Sequence, residues 1–372
     1  MSIRDVDVAG PIAGLLGATP ARIAFTGSPL KWVGMRPAER GVSRFQGTAL
    51  INGEERAWSL ILKVQRRVDE ADDPSAWNYW KREFLAYRSG LLADLPGIAA
   101  PRCFGAIESS GEVLLWLEDI HEALTGPWPL RRYIDAARAL GEFNGAYLAD
   151  RRLPGERLLT RTYLRSWTGW IPWQSAIRAE ATWSYPLVAA AFPRPPIDHL
   201  LRLDHDAAAW FDALDREPRT LAHLDAWRAN LIGQRLPDGR ERTVAVDWSF
   251  VGQAPAGQDL AIMVAGSHVW LDADPRDLDE LSAAALDAYL EGLRAAGWRG
   301  DDRSIRFAYA ASAALYALPM VPVWLARMSD PARRDWLERK CGRPTEEVVA
   351  GWALLVAHLL RLADEADRLR RA

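Results

Sequence analysis

The chain has 372 residues, 49% hydrophobic and 26% charged, with a formal net charge of −3. That length supports two domains or one domain in two lobes, the apolar share excludes a chain disordered throughout, and the charge balance lacks the basic excess of a nucleic-acid binder. Two cysteines, Cys103 and Cys341, are too few for a disulfide framework, and Met1-Ser2-Ile3-Arg4-Asp5-Val6-Asp7 carries acid where a secretory signal is basic and then apolar, so a cytoplasmic setting is expected.

Residues 22–25, 45–51 and 58–64 read as strands, with a hairpin turn at Gly53-Glu54 between the last two. Residues 76–92 have helical spacing, and Pro96-Gly97 closes that segment. A second hairpin is expected from 104–107 and 113–117, turned by Ser109-Ser110-Gly111. Several strands around one helix suggest a small sheet-based lobe over residues 1–118, with the composition shifting at Glu118-Asp119. Residues 119–372 read as a larger, mostly helical lobe, with helices over 130–148, 160–181 (broken near Pro172) and 197–214. Asp274-Pro275 opens another running to Gly297, and Thr345 caps a last amphipathic helix. Residues 307–326 carry no charge and approach membrane-spanning length, but Pro319 and Pro322 interrupt them. A buried helix ending near Pro319 is therefore expected, not a membrane span. Only residues 220–261 break the helices, reading as strand, turn, strand.

That break carries the chemistry. Leu221-Ala222-His223-Leu224-Asp225-Ala226-Trp227-Arg228-Ala229-Asn230 contains H-x-D-x-x-x-x-N, followed by an apolar strand, Pro237-Asp238-Gly239, and a second strand ending in Asp247. Taking Asp238-Gly239 as a two-residue hairpin turn places Asn230 opposite Asp247 at the open end. Asp225 lies on the loop feeding in. Two carboxylates and an amide at one point suit Mg²⁺ sharing its shell with substrate phosphates, and Asp225 is placed to accept a hydroxyl proton.

H-x-D-x-x-x-x-N before an apolar strand ending in Asp, with Gly257-Gln258-Asp259-Leu260-Ala261 beyond, resembles the aminoglycoside phosphotransferase and choline kinase-like branch of the protein-kinase-like fold. The resemblance implies an α+β architecture in two lobes: a small antiparallel-sheet N-terminal lobe and a large helical C-terminal lobe. It also implies transfer of the γ-phosphate of ATP to a hydroxyl on a small molecule, with Mg²⁺. By it, Asp225 is the catalytic base, Asn230 and Asp247 are metal ligands, and His223 and Asp259 brace the loop. Leu224 stands where relatives often have Gly or Asn, and Trp227 where protein-serine kinases carry a lysine. The same resemblance asks for a strand lysine paired with a helix glutamate. Lys63, one of only four lysines (with Lys31, Lys81 and Lys340), lies in an apolar strand, and Glu83 is the one acid in the following helix pattern. Adenine is expected at the connection near Glu118, and a phosphate-covering loop near Gly41-Val42-Ser43-Arg44-Phe45-Gln46-Gly47, although G-x-G-x-x-G is absent.

The chain has 18 tryptophans. Most are expected to fill the core. Trp167, Trp170, Trp173, Trp227, Arg228 and Trp248, with Trp324, are the candidate acceptor wall. The acids Asp198, Asp204, Asp206, Asp212 and Asp215 could draw in a cationic acceptor or form the polar face of a helix. A catalytically silent nucleotide-binding module and a mononuclear metal hydrolase using His223, Asp225 and Asp247 are the competing interpretations; the second leaves Asn230 idle.

Overall fold

The computed structural model describes residues 7–30, 40–153, 155 and 158–371. Lys31 falls outside them, as do 31–39, which connect the first two strands. Helix α1 (Ala9–Leu16) precedes a five-stranded antiparallel sheet of β1 (Arg22–Pro29), β2 (Arg40–Ile51), β3 (Glu54–Arg66), β5 (Cys103–Ser109) and β6 (Glu112–Glu118), ordered β1-β2-β3-β6-β5. Strand alternation gives the sheet two working faces. Trp58, Leu60 and Leu62 of β3 pack with Leu114 and Trp116 of β6 against Ile12 of α1. Val113, Leu115 and Leu117 of β6 pack with Phe84 of α2 (Arg82–Arg88). Ile61, Lys63 and Gln65 fall on that second side by the period of two.

Several sequence expectations are corrected here. The first hairpin turns at Asn52-Gly53, both with positive φ (50° and 83°), one residue before the expected pair. The helix expected over 76–92 shrinks to α2, and α1 was not anticipated. Residues 41–47 are not a loop but run inside β2. A Cβ at Gly47 would stand 1.9 Å from the Ala24 carbonyl oxygen of β1, so this glycine serves strand packing.

The C-terminal part begins with α3 (Leu130–Ala149), α4 (Tyr163–Trp170), α5 (Trp173–Arg178), α6 (Glu180–Ser184), α7 (Pro186–Ala191) and α8 (Ile197–Leu214). The break at Ile171-Pro172 splits the helix expected over 160–181. Strands β7 (Arg219–Ala222) and β10 (Gly252–Pro255) pair with each other. Strands β8 (Leu231–Arg235) and β9 (Glu241–Ala245) form a hairpin extended by the short β4 (Ile98–Ala99), which runs parallel to β9 and so ties the N-terminal segment into the larger core.

Helix α9 (Gln258–Val269), buried along its whole length, packs against α3, α10 (Leu278–Ala295), α11 (Asp302–Ala317) and α14 (Thr345–Arg371), and α12 (Met320–Leu325) and α13 (Pro331–Cys341) lie between α11 and α14 in the chain. Residues 258–261 therefore open a helix, where a strand was expected. The uncharged stretch spans α11 and α12. By length and composition Asp302–Leu325 could cross a membrane, but 94% of its apolar window is buried inside the protein.

Helices α3 and α10 cross on mutual glycines. A Cβ at Gly141 would meet the Tyr289 carbonyl oxygen at 2.2 Å, and one at Gly292 the Arg138 carbonyl oxygen at 2.2 Å. Backbone cannot yield as a flexible side-chain tip can. Gly141→Ala is therefore expected to destabilise the protein by about 1–3 kcal/mol despite its better helix propensity, read as a lower midpoint in urea unfolding; an unchanged or raised midpoint contradicts the crossing geometry.

Candidate active site

Lys63 and Gln65 project from β3 toward α2 and the segment after β9. The Lys63 ammonium lies 2.6 Å from Glu83 Oε2 and 2.7 Å from Asp247 Oδ1. Glu83 is wholly buried and engages three further groups. Its Oε1 accepts the Trp248 N–H at 3.2 Å, and its Oε2 accepts from Gln65 Nε2 at 2.9 Å and from the Ser249 hydroxyl at 3.4 Å. The Ser249 hydroxyl lies 2.7 Å from Asp247 Oδ1. Neither Gln65 nor Ser249 was singled out from sequence. For Gln65 the signal is spacing: it sits two residues from Lys63 in β3, which in extended chain means the same side.

The hairpin differs from expectation by one residue. Its paired positions run Leu231↔Ala245 to Arg235↔Glu241, and Leu236 N–H donates to the Arg240 carbonyl, so Pro237-Asp238-Gly239 is a three-residue loop with Gly239 at φ 84°. Asn230 accordingly faces Val246, whose N–H donates to the Asn230 carbonyl at 2.9 Å. Asp247 lies one residue beyond the ladder, at φ 60°.

The loop before β8 is held from beneath. Asp259, at the start of α9, accepts the His223 N–H at 2.9 Å and the Leu224 N–H at 2.8 Å. Asn144 of α3 donates to Asp259 Oδ2 (3.4 Å) and to the Leu221 carbonyl (2.8 Å), and accepts from the Tyr289 hydroxyl (2.7 Å). Leu224 has φ 67°, a conformation in which an L-residue with a large side chain is strained, by about 1–2 kcal/mol. Gly or Asn adopts it more readily.

His223 is buried, with Nε2 2.9 Å from the Val246 carbonyl and Nδ1 accepting the Asp225 N–H at 3.2 Å. A carbonyl can only accept and an N–H only donate, so the neutral ring carries its proton on Nε2. Burial, the dominant effect, pushes its pKa down to about 4. Asn230 Nδ2 donates to both Asp225 Oδ2 (2.8 Å) and the Asp225 carbonyl (2.9 Å), which turns the amide oxygen away from Asp225. Tyr163 and Tyr316 lie near Asp225, and burial raises both phenols well above their usual pKa, so both stay protonated.

Of the other sequence-predicted residues, Glu118 donates its backbone N–H to the Arg102 carbonyl, so that donor is engaged within the sheet. Beside it the Asp119 side chain accepts from Arg44 at 2.7 and 3.0 Å and from Ser59 at 2.5 Å. Trp173 and Trp248 are fully buried, so the expectation that they face an acceptor is corrected: Trp248 packs edge-on to His223 with ring centroids 4.5 Å apart. Trp167 is buried between Tyr163 and Tyr316, while Trp170 is exposed. Trp227 is half-buried. Arg228 is bridged to Glu122 at 3.1 Å and lies over the Trp128 ring. Asp212 and Asp215 pair with Arg165, and Asp204 accepts from Gln174, which fits the polar-face interpretation of the acidic cluster.

No protein-family model and no curated protein sequence matches this chain. Among solved structures it is similar to an amicoumacin kinase in complex with AMP-PNP, Ca²⁺ and Ami, at 14% identity and a TM-score of 0.50, covering 88% of this chain and 89% of that one. It is also similar to the GDP complex of an aminoglycoside 2'-phosphotransferase (14% identity, TM-score 0.48, 92% and 94% covered) and to an ethanolamine kinase of Plasmodium vivax (10% identity, TM-score 0.47, 90% and 81% covered).

The buried histidines set a pH dependence. His223 and His268 both fall from about 6.5 to about 4, chiefly through burial. Between those values the unfolded chain binds protons that the folded chain refuses, so each histidine costs stability as pH falls through that window, about 1.4 kcal/mol per pH unit per proton. His223→Gln is expected to remove about one proton from the slope of unfolding free energy between pH 6 and 4.5, measured by denaturant titration at stepped pH; an unaltered slope shows that His223 is not held neutral. With its antiparallel sheet and its helical second lobe, the chain has a two-lobed fold similar to that of the amicoumacin kinase.

Proposed function

We propose that this protein is an ATP-dependent phosphotransferase that moves the γ-phosphate of ATP to a hydroxyl of a small molecule, acting in the cytoplasm. Residues 1–118 would hold the nucleotide, with adenine near Glu118, and residues 119–372 would carry the catalytic loop and the acceptor. The observation that carries this reading is the Lys63 ammonium bonded at once to Glu83 and Asp247, beside the Asp225–Asn230 hydrogen bond.

Each group has a chemical task. Glu83 fixes the Lys63 ammonium at the place where nucleotide phosphates would meet it. Asp225 accepts the hydroxyl proton as the acceptor oxygen bonds to the γ-phosphorus. The bond from that phosphorus to the bridging oxygen breaks, and ADP leaves with the electron pair. Asn230 keeps one Asp225 oxygen engaged, so the carboxylate is oriented before the acceptor arrives. His223 is unsuited to be the base: both ring nitrogens are committed, and burial opposes its charging.

Asp247 and Asn230 fit Mg²⁺. A cation already lies against Asp247 Oδ1, and the Asn230 amide oxygen is turned away from Asp225. Among the described residues no cluster of three or more His, Cys, Asp or Glu could cage a metal, and an ion held by two oxygen-bearing side chains completes its shell with phosphates and water. When bound, Mg²⁺ would neutralise charge on the transferring phosphates.

The wild-type protein is expected to consume ATP when offered a library of hydroxyl compounds with Mg²⁺, followed by ADP release. Asp225→Ala should slow turnover of a responding acceptor by about 10²–10⁴ while Mg·ATP binding, measured by calorimetry, persists. Asp247→Ala should abolish the Mg²⁺-dependent part of that binding. Full turnover by Asp225→Ala contradicts the assignment of the base, and ATP binding without turnover of any acceptor marks a nucleotide-binding module instead.

A further inference from the structure

A cavity of 280 Å³ opens where the start of α4, the end of α8, the β7–β10 pair and the start of α9 meet. Lys63, Glu83 and Asp247 do not line it; Arg165, Asp215, Arg219, Leu224, Gln253 and Gln258 do. Two of these adjoin the loop before β8. Leu224, at φ 67°, directly precedes Asp225. Gln258 directly precedes Asp259, whose carboxylate holds the His223 and Leu224 N–H groups.

The polar groups of the lining are unevenly satisfied. Gln253 and Gln258 are 5% and 3% exposed, and neither side-chain amide has a hydrogen-bond partner among the described residues. Leaving a buried amide unbonded is costly, and the open volume that both residues border is the cavity. Asp215, by contrast, is engaged on both oxygens: Oδ1 accepts from Arg219 and Oδ2 from Arg165, each at 3.1 Å. Arg165 reaches Asp212 through the same Nη2, at 3.0 Å, and lies over the Phe211 ring at 4.8 Å. Its Nε and Nη1 therefore keep donors with no acceptor among the described residues, on a guanidinium already held in place.

These facts select a ligand chemistry. An incoming cation would have to displace an arginine from Asp215, whereas an anion meets the unbonded donors of Arg165 directly. Negative charge suits that end alone, because Asp225 and Asp259 stand one residue beyond Leu224 and Gln258 at the other. The walls between are apolar, from Leu164, Phe211 and Leu214. An inorganic anion would leave those walls and both amides uncovered, and a second charge on the ligand would face the two acids.

We propose that this cavity binds a small organic monocarboxylate, its head on Arg165 and its uncharged, hydrogen-bonding body on Gln253, Gln258 and Leu224, and that its occupation steadies the loop carrying Asp225. Leu224 in its strained conformation forms part of the wall. A ligand that fills the cavity binds best when that conformation is in place, and so shifts the population toward it. The seat does not rest on the phosphotransferase reading.

The test uses the whole protein without nucleotide. N-acetyl-leucine, which joins a carboxylate, an amide and an apolar side chain, is titrated by calorimetry beside hexanoate, the neutral N-acetyl-leucinamide and inorganic phosphate. N-acetyl-leucine should bind most tightly, by about tenfold over its amide. Arg165→Gln should weaken it about tenfold, and Gln258→Leu provides a second, independent loss; both variants are checked for folding by thermal melting. At saturation, amide hydrogen exchange across residues 221–231 should slow about threefold or more in the wild type, and not in Arg165→Gln at the same ligand concentration. No binding of either carboxylate, equal binding of N-acetyl-leucinamide, a preference for phosphate, or affinity unmoved by both substitutions overturns the seat. Binding with exchange unaltered overturns its link to the loop.

Discussion

The interaction on which the site depends is the buried Lys63 ammonium, shared by Glu83 and Asp247. Removing three charges from water is costly unless each finds close partners of opposite sign and its remaining polar atoms are bonded. That requirement explains the otherwise unremarkable neighbours. Gln65 and the Trp248 N–H satisfy the Glu83 carboxylate on both oxygens, and the Ser249 hydroxyl lies closer to Asp247. Lys63 and Asp247 stand 184 residues apart in the chain, so the ion pair also couples the sheet to the hairpin. Geometry around Lys63 then follows from packing on both sides of it.

A second constraint works from below. The loop before β8 contains Leu224 at positive φ, and Asp247 leaves β9 in the same region of backbone space. Such conformations persist only where surroundings over-determine them. For Leu224 the surroundings are the Asp259 carboxylate, gripping two consecutive N–H groups, and Asn144 and Tyr289 behind it. Leucine at this position gains burial of its side chain in return for the strain. The bend it permits turns Asp225 toward Asn230 while His223 points back into the core.

The tryptophans divide by environment. Trp116, Trp173, Trp248 and Trp352 are core residues with no accessible face. Trp128 is clamped between Arg132 and Arg228, at 4.3 and 4.1 Å, at the end of the loop before β8. Trp227 and Trp270 are half-buried and carry Lys340. The same side chain thus serves as filler, clamp and platform for a cation, and composition alone does not separate these uses.

Much was legible in the sequence. Strands β1 to β3, helix α8 and the hairpin appear at or near their expected positions because alternation, helical period and Gly-Asp turn chemistry are local properties. Lysine scarcity together with an apolar strand marked Lys63, and a lone helix acid marked Glu83; these two do meet. Hairpin register was misread by one residue, since an Asp-Gly pair serves both two- and three-residue loops and only the cross-strand hydrogen bonds distinguish them. Gly47 was misassigned because a glycine required by a neighbouring strand looks, in sequence, like a glycine required by a turn. The sequence by itself determined the elements and the chemical types assembled at the site, because those depend on neighbours in the chain. Only the tertiary structure decided which tryptophans are buried and which exposed, which cations occupy their rings, and that Gln65, Ser249 and Asn144 complete the site, because those depend on contacts between segments distant in the chain, whose partners no local pattern specifies.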